Sequence, residues 1–372
     1  MNFEIITDHQ RLTEVCAIVS KKEYLMVDTE FVRTRTLYPK LGLIQIYDGE
    51  ILALIDPIEI EDMSPFWQVL KDPQVTKVLH ACGEDLEVFQ HYAGCMPSPM
   101  LDTQIMASFL GYGMSAGFAS LVKDFLDVEL DKGESRTDWL ARPLTSKQQD
   151  YAAADVYYLL PMFELIKQQV IDSGWWEAVE QETALIISKR QSIKNPEKSY
   201  LDIKNAWQLQ PNQLAQLKIL AKWRLEEARR RDLALNFVVK ELSIWKMAYY
   251  NLRSKEQMLK EEFDFREVQR HGNKLLNLMA ESDNVSQSEY PEKIARLMDF
   301  PHYKQIFKLL KDQVKIVSEE CGLATEFLAS KKQLNQFLSS QWKHSDSVGM
   351  TPDVLSGWRK ELLQQKLLAV IA

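Results

Sequence analysis

The chain has 372 residues and a net charge of −8, with 46% hydrophobic and 26% charged residues, which is ordinary for a folded protein of two or three domains. No apolar run approaches the roughly 20 residues of a membrane span, and the first residues lack the basic start and apolar core of a signal peptide. The four cysteines form no Cys-x-x-Cys pair and no zinc-ligand spacing, so we expect reduced thiols, a cytoplasmic location and no membrane partner.

Residues 1–190 alternate between strand-like and helix-like segments, a pattern that predicts an α/β layer domain. A turn at residues 48–50 joins two of the strands, and Thr145 with the polar residues after it is typical of a capped helix start. The predicted strands are Tyr24–Thr29, Leu43–Tyr47, Ile51–Ile55 and Lys77–His80. The predicted helices are Leu86–Tyr92, Thr103–Leu110, Ser115–Phe125 and Ser146–Gln169.

The second half of the chain is almost entirely helix-like and contains a weak internal repeat. A polar segment at residues 189–204 is interpreted as a linker, and a second polar break at 281–288 divides this half. Amphipathic helices also resemble one another by pattern alone, so the residues leave duplication and coincidence open. The matching pairs are Leu217-Lys218 with Leu310-Lys311, Glu226-Glu227-Ala228 with Glu319-Glu320-Cys321 and, after a small gap, Phe237-Val238 with Phe327-Leu328, then Ile244 and Met247 with Leu334 and Phe337.

Acidic residues in three separate segments are the most informative feature of the chain. Asp28 and Glu30 are two residues apart at the end of a predicted strand, so their side chains point to the same face. Tyr151 and Asp155 are four residues apart in an alanine-rich helical stretch and also share a face, while Asp85 lies at a predicted helix start. Crowded carboxylates cannot all stay ionised without cations, and oxygen ligands suit Mg²⁺ or Mn²⁺. Two such ions commonly promote in-line attack on a phosphodiester.

Each of these residues has a plainer interpretation when it is taken alone. Edge-strand carboxylates often face solvent, and acidic residues such as Glu84, Asp85 and Glu87 are ordinary at a helix start because they oppose the helix dipole. A buried tyrosine is more often packed than catalytic. His80 ends a strand and is expected to be structural, and Asp102 fits a helix cap. It is the convergence of several acidic motifs that favours a site.

Together these motifs resemble the ribonuclease D family of 3′→5′ exoribonucleases, of the class named for four acidic residues and a tyrosine. They occur in the family's order, and the C-terminal half is similar to the HRDC-type helical domains of these nucleases and some helicases. The segments that carry the resemblance are Asp28-Thr29-Glu30-Phe31, His80-Ala81 through Asp85, Asp102-Thr103-Gln104, Gly133 through Trp139 with Arg142-Pro143-Leu144, and Tyr151 through Val156.

The resemblance implies a ribonuclease-H-like α/β exonuclease domain, with a mixed sheet flanked by helices, followed by two all-α helical-bundle domains. The expected bounds are 1–190 for the exonuclease domain, 191–208 for a linker, and 209–285 and 286–372 for the HRDC-type domains. Tyr151 would orient the attacking water, and Asp102 would support the site without binding metal. Two divalent ions, Mg²⁺ or Mn²⁺, would be held by four carboxylates: Asp28, which would bridge both ions, Glu30, Asp85 and Asp155.

Six further residues are candidates for holding the substrate. Several basic residues follow Glu30 in a polar loop, where they could contact phosphates, and an aromatic side chain beside Glu30 could stack on the terminal base or ribose. A solvated surface is the plainer interpretation for the basic residues. The candidates are Phe31, Arg33, Arg35, Lys40, Arg136 and Arg142.

Charge is spread unevenly along the chain. Residues 1–200 hold 18 Lys and Arg against 31 Asp and Glu, a net of −13, whereas residues 201–372 hold 27 against 22, a net of +5. An acidic half joined to a mildly basic half suits a metal-dependent enzyme whose second half helps to hold a phosphate backbone. The excess is small, and the basic run Arg229-Arg230-Arg231 is of a kind that is more often simply exposed.

The resemblance implies hydrolysis of RNA from a free 3′ end with release of 5′-mononucleotides, and it points to transfer-RNA precursors and other structured RNAs. We expect a monomer, and the lack of a Gly-x-x-x-x-Gly-Lys loop predicts no nucleotide triphosphate partner. One alternative is a proofreading-type DNA exonuclease, which would use the same carboxylates but is accompanied by polymerase motifs absent here. The other is a non-catalytic nucleic-acid-binding adaptor, which the loss of an acidic ligand would mark.

Overall fold

The computed structural model describes residues 1–131, 133–342 and 351–371. The chain divides into two compact units: unit 1 comprises residues 1–32, 39–191 and 301–372, and unit 2 comprises residues 33–38 and 192–300. These units do not follow the three predicted domains, whose bounds stay a prediction, and the predicted last residue, Ala372, lies outside the described residues. No helix among the described residues is long and apolar enough to cross a membrane.

Unit 1 is built on a six-stranded mixed sheet, which the sequence predicts in part. The strands lie in the order β1-β4-β3-β2-β5-β6. Strand β3 is antiparallel to both of its neighbours, and the other pairings are parallel. The strands are β1 Glu4–Ile6, β2 Tyr24–Val32, β3 Lys40–Tyr47, β4 Leu52–Ile55, β5 Thr76–Leu79 and β6 Met100–Asp102.

Within the described part of residues 1–191, unit 1 contains eight α-helices. The long helix predicted at Ser146–Gln169 is in fact two helices, broken at Tyr158. Pro161 explains the break, because it has no N–H to donate to the carbonyl four residues earlier and so fits only in the first turn of a new helix. The helices are α1 His9–Val19, α2 Ser64–Lys71, α3 Asp85–Tyr92, α4 Thr103–Phe109, α5 Phe118–Leu126, α6 Ser146–Tyr157, α7 Leu159–Asp172 and α8 Trp176–Gln191.

Unit 2 is helical and has its own hydrophobic core. Its first segment, predicted as a linker at 191–208, is folded: it forms 3-10 helices at Pro196–Asp202 and Ala206–Gln208 and buries Ile203 and Ala206. The sequence did not indicate these short helices, because their few apolar residues are scattered among polar ones. The α-helices are α9 Pro211–Arg231, α10 Leu235–Val238, α11 Glu241–Tyr249, α12 Lys255–Lys260 and α13 Phe265–Glu281.

The C-terminal part of the chain, as far as the structure describes it, contributes four α-helices that pack with the exonuclease region inside unit 1. Arg359 forms a buried ion pair with Glu182 of α8, and the Trp358 indole N–H donates to the same carboxylate at 2.9 Å. Phe109 and Phe327 contact the Trp358 ring, so aromatic side chains close the space around the pair. The helices are α14 Tyr303–Cys321, α15 Thr325–Leu328, α16 Lys331–Trp342 and α17 Gly357–Ile371.

The internal repeat predicted from the sequence is visible in the helices. A long helix, a one-turn helix and a third helix follow one another as α9, α10 and α11, and again as α14, α15 and α16. Matched positions are buried in both copies, including Leu217 with Leu310 and Met247 with Phe337. Shared burial at matched positions favours duplication over a chance likeness of amphipathic helices.

Candidate active site

Strand β2 carries the first two acidic residues of the candidate site. Asp28 pairs with Gln45 and Glu30 with Leu43 across the antiparallel ladder to β3, so both carboxylates lie on one face of the sheet. The register shifts between Glu30 and Phe31, where the regular pairing with β3 is interrupted. Such irregularities change the direction of neighbouring side chains and are frequent next to active sites.

Helix α6 brings two more residues of the candidate site, Tyr151 and Asp155, to this face. A capping box fixes its start: Thr145 accepts a hydrogen bond from the Gln148 backbone N–H, and the Gln148 side chain accepts one from the Thr145 N–H. The helix packs against β2, β3 and β4, with Ala152 and Ala153 fully buried against the sheet. Small buried residues let α6 lie close to β2, so that Asp155 reaches the carboxylates of the strand.

Three of the four predicted metal ligands form one cluster. One carboxylate oxygen from each of Asp28, Glu30 and Asp155 lies within 4.8 Å of those of the other two. Asp85 is not one of these three; it is buried at the start of α3, where its carboxylate accepts a hydrogen bond from the Thr29 hydroxyl. Because Thr29 lies between Asp28 and Glu30, Asp85 is tied to the ligand strand itself.

The pKa values of these carboxyl groups show how unfavourable the cluster is without cations. Burial, followed by repulsion from Asp85, Asp155 and Glu30, raises the pKa of Asp28 well above its ordinary value. Burial and the nearby Asp155 and Asp85 raise the pKa of Glu30 to about 9. Burial raises the pKa of Asp155 to about 7, against the effect of a hydrogen bond from Tyr151. Burial and mutual repulsion thus raise the pKa values of these carboxyl groups. Such a set of oxygen donors suits divalent cations.

Tyr151 lies one helical turn before Asp155 and shares its face. Its hydroxyl is hydrogen-bonded to the Asp155 carboxylate, and its ring centroid is 6.1 Å from that of the buried Trp139. Burial, followed by repulsion from the nearby carboxylates, raises the pKa of Tyr151 above its ordinary value, so the phenol stays protonated at neutral pH. The side chain is therefore a neutral hydrogen-bond donor at the edge of the carboxylate cluster.

Asp102 and His80 hold the turn that leads to Asp85. The Asp102 carboxylate caps α4 and also accepts from the backbone N–H groups of Ala81 and Cys82, at 3.1 and 2.9 Å. His80 makes side-chain hydrogen bonds to the Thr103 hydroxyl and the Ala116 carbonyl. Both residues therefore have the structural, supporting contacts that the sequence predicts.

Comparison with known proteins places this site in a family. Residues 3–171 match the model of a 3′-5′ exonuclease, 213–279 that of the HRDC domain, and 301–367 that of the ribonuclease D C-terminal HRDC domain. Ribonuclease D of Musicola paradisiaca is 47% identical over 372 residues, covering 100% of this chain and 99% of that protein. Ribonuclease D of Escherichia coli K12 is 47% identical over 367 residues, covering 99% and 98%.

The chain belongs to the ribonuclease D family. The crystal structure of Escherichia coli RNase D, described as an exoribonuclease involved in structured RNA processing, matches with a TM-score of 0.97 at 46% identity, covering 100% of this chain and 99% of that one. The predicted fold class, with an α/β exonuclease domain and HRDC-type helices, is thereby confirmed, as is the predicted activity. The chain is a metal-dependent 3′→5′ exoribonuclease. This assignment supports neither the DNA proofreading alternative nor the adaptor alternative.

Membership of the ribonuclease D family leaves the six predicted substrate contacts as predictions. Lys40 at the start of β3, Arg33, Arg35 and Arg136 are exposed, whereas Phe31 is partly buried against the main core of unit 1. Exposure alone is compatible with phosphate contacts and with a solvated surface.

Arg142 has a structural environment that differs from the predicted phosphate contact. Its guanidinium donates to both carboxylate oxygens of Asp56 and to the carbonyls of Gly42, Trp139 and Ala141. All three of its nitrogens are therefore used within the fold, which favours a structural role. No local sequence pattern indicates this pairing, because the two partners are 86 residues apart.

One residue near the ribonuclease D site was missed by the sequence reasoning. A cavity of about 240 Å³ is bordered by Tyr151, Asp155 and the exposed Lys147. Lys147, Tyr151 and Asp155 are four residues apart along α6, so their common face could have been recognised from spacing alone. The remaining residues that line the cavity are Leu130, Asp131, Glu134, Asp150 and Ala154.

Proposed function

We propose that two divalent ions, Mg²⁺ or Mn²⁺, bind at Asp28, Glu30, Asp85 and Asp155, and that this site removes 5′-mononucleotides from the 3′ end of RNA. The observation that carries the proposal is the approach of the Asp28, Glu30 and Asp155 oxygens to within 4.8 Å of one another. Bound cations would relieve the repulsion that raises the pKa values of these groups. Carboxylate oxygens suit these hard cations better than softer metals.

The protein's own side chains determine where the reacting groups lie. Divalent ions at such a site supply positive charge that activates a water molecule and stabilises the leaving oxygen. The Tyr151 hydroxyl, which is held by Asp155 and stays protonated, orients the attacking water by hydrogen bonding. The Thr29 hydroxyl fixes the Asp85 carboxylate relative to β2, so that it cannot turn away from the cluster.

The natural substrates proposed are transfer-RNA precursors and other structured RNAs with a free 3′ end. Support comes from the description of the Escherichia coli relative as an enzyme of structured RNA processing. Unit 2 also holds 21 Lys and Arg against 16 Asp and Glu, a net of +5, which favours contact with phosphates. We propose that the enzyme acts as a monomer in the cytoplasm, in agreement with four cysteines that are all free thiols.

Replacement of a single carboxylate tests the proposed ligands. Asp28→Asn keeps the size of the side chain but removes its charge, so hydrolysis of 3′-end RNA should fall by orders of magnitude while the fold is retained. Asp124→Asn, which changes an exposed carboxylate on α5, is the matched control and should leave the rate unchanged. Rates would be measured on end-labelled RNA with Mg²⁺, Mn²⁺ or excess chelator. Near-normal turnover of Asp28→Asn, or full activity in chelator, would contradict the proposal.

Blocking one end of the RNA tests the direction of attack. RNA whose 3′ hydroxyl is blocked should resist digestion, and a 5′ block should have no effect. The products, resolved by size, should be mononucleotides from the first time points onward. Digestion of a circular RNA at the same rate as a linear one would instead indicate an endonuclease.

A further inference from the structure

The segment that follows the metal-ligand strand is held by unit 2. Residues 33–38 connect β2 to β3, yet their contacts group them with residues 192–300. Asp232 accepts hydrogen bonds from the backbone N–H groups of Leu37 and Tyr38 at 3.1 and 3.0 Å, both at Oδ1. The Ala234 N–H donates to the Arg35 carbonyl at 2.8 Å. Leu37 packs against the hydrophobic core of the unit, so the segment is held by its backbone and by a side chain.

Asp232 adopts a backbone conformation that disfavours an aspartate. It ends α9 with φ of 48°, in the left-handed region, where glycine is the usual residue. In the second repeat, α14 ends at Gly322 with φ of 76°. Asp232 and Gly322 are corresponding positions, since each lies five residues before a matched phenylalanine, Phe237 or Phe327. Capping alone therefore does not account for an aspartate in the first repeat, whereas the two hydrogen bonds to the segment do.

The first repeat is also extended at this point. Eight residues separate Ala228 from Phe237, but five separate the matched Cys321 from Phe327. The additional three residues lengthen α9 by nearly one turn, and the helix then ends at Asp232. Both the added length and the change from glycine to aspartate are confined to the repeat whose helix end holds residues 33–38.

We propose that Asp232 is a positioning residue for RNA binding, which fixes the backbone of residues 33–38 so that Arg33 and Arg35 are presented to the phosphates of the substrate. The inference rests on the proposed function and on the prediction from the sequence that these two arginines contact substrate phosphates. The Arg35 guanidinium lies 5.8 Å from the centre of the Phe237 ring, so the same helical repeat also restrains this side chain. The first HRDC-type repeat thus contributes to substrate binding through an ordered loop as well as through its charge.

Three variants of the full chain separate this role from helix capping. Asp232→Gly removes the side chain that makes the left-handed backbone conformation unfavourable, but it also removes the acceptor of both hydrogen bonds. Asp232→Asn tolerates the same backbone, and its amide oxygen can accept both N–H groups, so it should behave as the parent does. Glu262→Gly is the matched control, because Glu262 is an exposed residue of unit 2 with φ of 62° and lies outside the proposed machinery.

Two measurements are made on each variant: the KM and kcat for end-labelled single-stranded RNA with Mg²⁺, and the rate of tryptic cleavage after Arg33 and Arg35. For Asp232→Gly we expect about tenfold faster cleavage of the loop and a KM raised about tenfold, which corresponds to ~1.4 kcal/mol, with kcat within about twofold. The Asp232→Gly effect on KM should shrink when Arg35 is replaced by Gln, because the two changes then act on one contact.

A folded Asp232→Gly protein with an unchanged KM would overturn the inference, whether or not its loop is cleaved faster. Leu37→Ala, which loosens the segment from the loop side, replaces Asp232→Gly if circular dichroism shows that the latter is unfolded. Loss of binding in Glu262→Gly as well would assign the effect to the introduction of glycine at a left-handed position and not to the loss of the Asp232 carboxylate. If the parent chain fails to hydrolyse RNA with either metal, the proposed function is wrong, and the tryptic rates still decide whether Asp232 holds the loop.

Discussion

Replacement of Arg359 by methionine should destabilise unit 1 strongly, because it leaves a buried carboxylate without its cation. The Arg359 side chain is 3% exposed and that of its partner Glu182 is 10% exposed. The same guanidinium donates to the carbonyls of Phe327 and Leu328 at 2.9 and 3.0 Å. Breaking a buried pair by removing one partner costs about 3–5 kcal/mol. For a unit of this size, that corresponds to a fall in Tm of about 10 °C.

Denaturant and thermal unfolding, followed by tryptophan fluorescence, would measure this change, since Trp175 and Trp358 lie beside the pair. Two units need not unfold together, so hydrogen exchange of α8 and α17 would show whether unit 1 has lost stability. Lys315→Met is the matched control. Its ion pair with Glu319 is exposed, at 72% and 68% of the two side chains, and its loss should cost less than about 1 kcal/mol.

A second change locates the source of the lost stability. In the double variant Glu182→Gln with Arg359→Met, both charges of this buried pair are removed. The double variant should therefore be more stable than Arg359→Met alone. Equal losses in Arg359→Met and Lys315→Met, or no recovery in the double variant, would refute this reasoning.

Three further predictions concern the active site and the sheet. Tyr151→Phe should lower kcat about ten- to a hundredfold with little change in KM, as expected for one lost hydrogen bond to a charged or reacting group, and an unchanged kcat would remove Tyr151 from the mechanism. In chelator, thermal stability should fall as pH rises from about 4 to 9. The reason is that the pKa values of Asp85 (about 6), Asp155 (about 7) and Glu30 (about 9) all lie above their unfolded values. Saturating Mg²⁺ should suppress this fall in stability, and Asp155→Asn should weaken it. Lys77→Met should cost about 2–3 kcal/mol by urea unfolding, because the buried Lys77 ammonium donates to three backbone carbonyls that would lose their partner.

Local spacing made part of this molecule predictable. Asp28 and Glu30 share a face because a strand repeats every two residues, and Tyr151 and Asp155 because a helix brings residues four apart together. The capping box at Thr145 likewise depends on only four consecutive residues, and its two hydrogen bonds confirm it. Family resemblance, and not spacing, selected Asp85 among its acidic neighbours. Its hydrogen bond from Thr29 depends on β2 and α3 being adjacent in the fold, which no local pattern shows.

Features that depend on distant partners were not predicted. Strands β1 and β6 have three residues each, too few for an alternating pattern to be recognised. Arg142 was predicted to contact phosphate. Its pairing with Asp56 was not foreseen, because Asp56 is far away in sequence. The ion pair that groups the C-terminal helices with the exonuclease region joins residues 177 apart. A separate C-terminal domain was the natural expectation from composition, because nothing near Glu182 or Arg359 in sequence marks either as half of a buried pair.

The two helical repeats share a pattern of buried apolar residues but make different contacts with the rest of the chain. Matched positions such as Leu217 with Leu310 are buried in both repeats, whereas Phe237 is exposed and its match Phe327 is buried. The repeats therefore differ at helix ends and on helix faces. After the second repeat, Trp358 and Arg359 of α17 bind the buried Glu182 of unit 1, and α14 itself ends at Gly322. In the first repeat, α9 continues three residues past Ala228, whereas α14 ends at the matched Cys321, and the C-cap of α9 is Asp232, which holds the backbone of Leu37 and Tyr38. A truncation that removes everything after Arg190 would therefore do more than delete RNA contacts, because it would also leave Glu182 unpaired and remove the side chains that cover Phe109. Point variants at Asp232 and Arg359 separate the two contributions, whereas deletion confounds them.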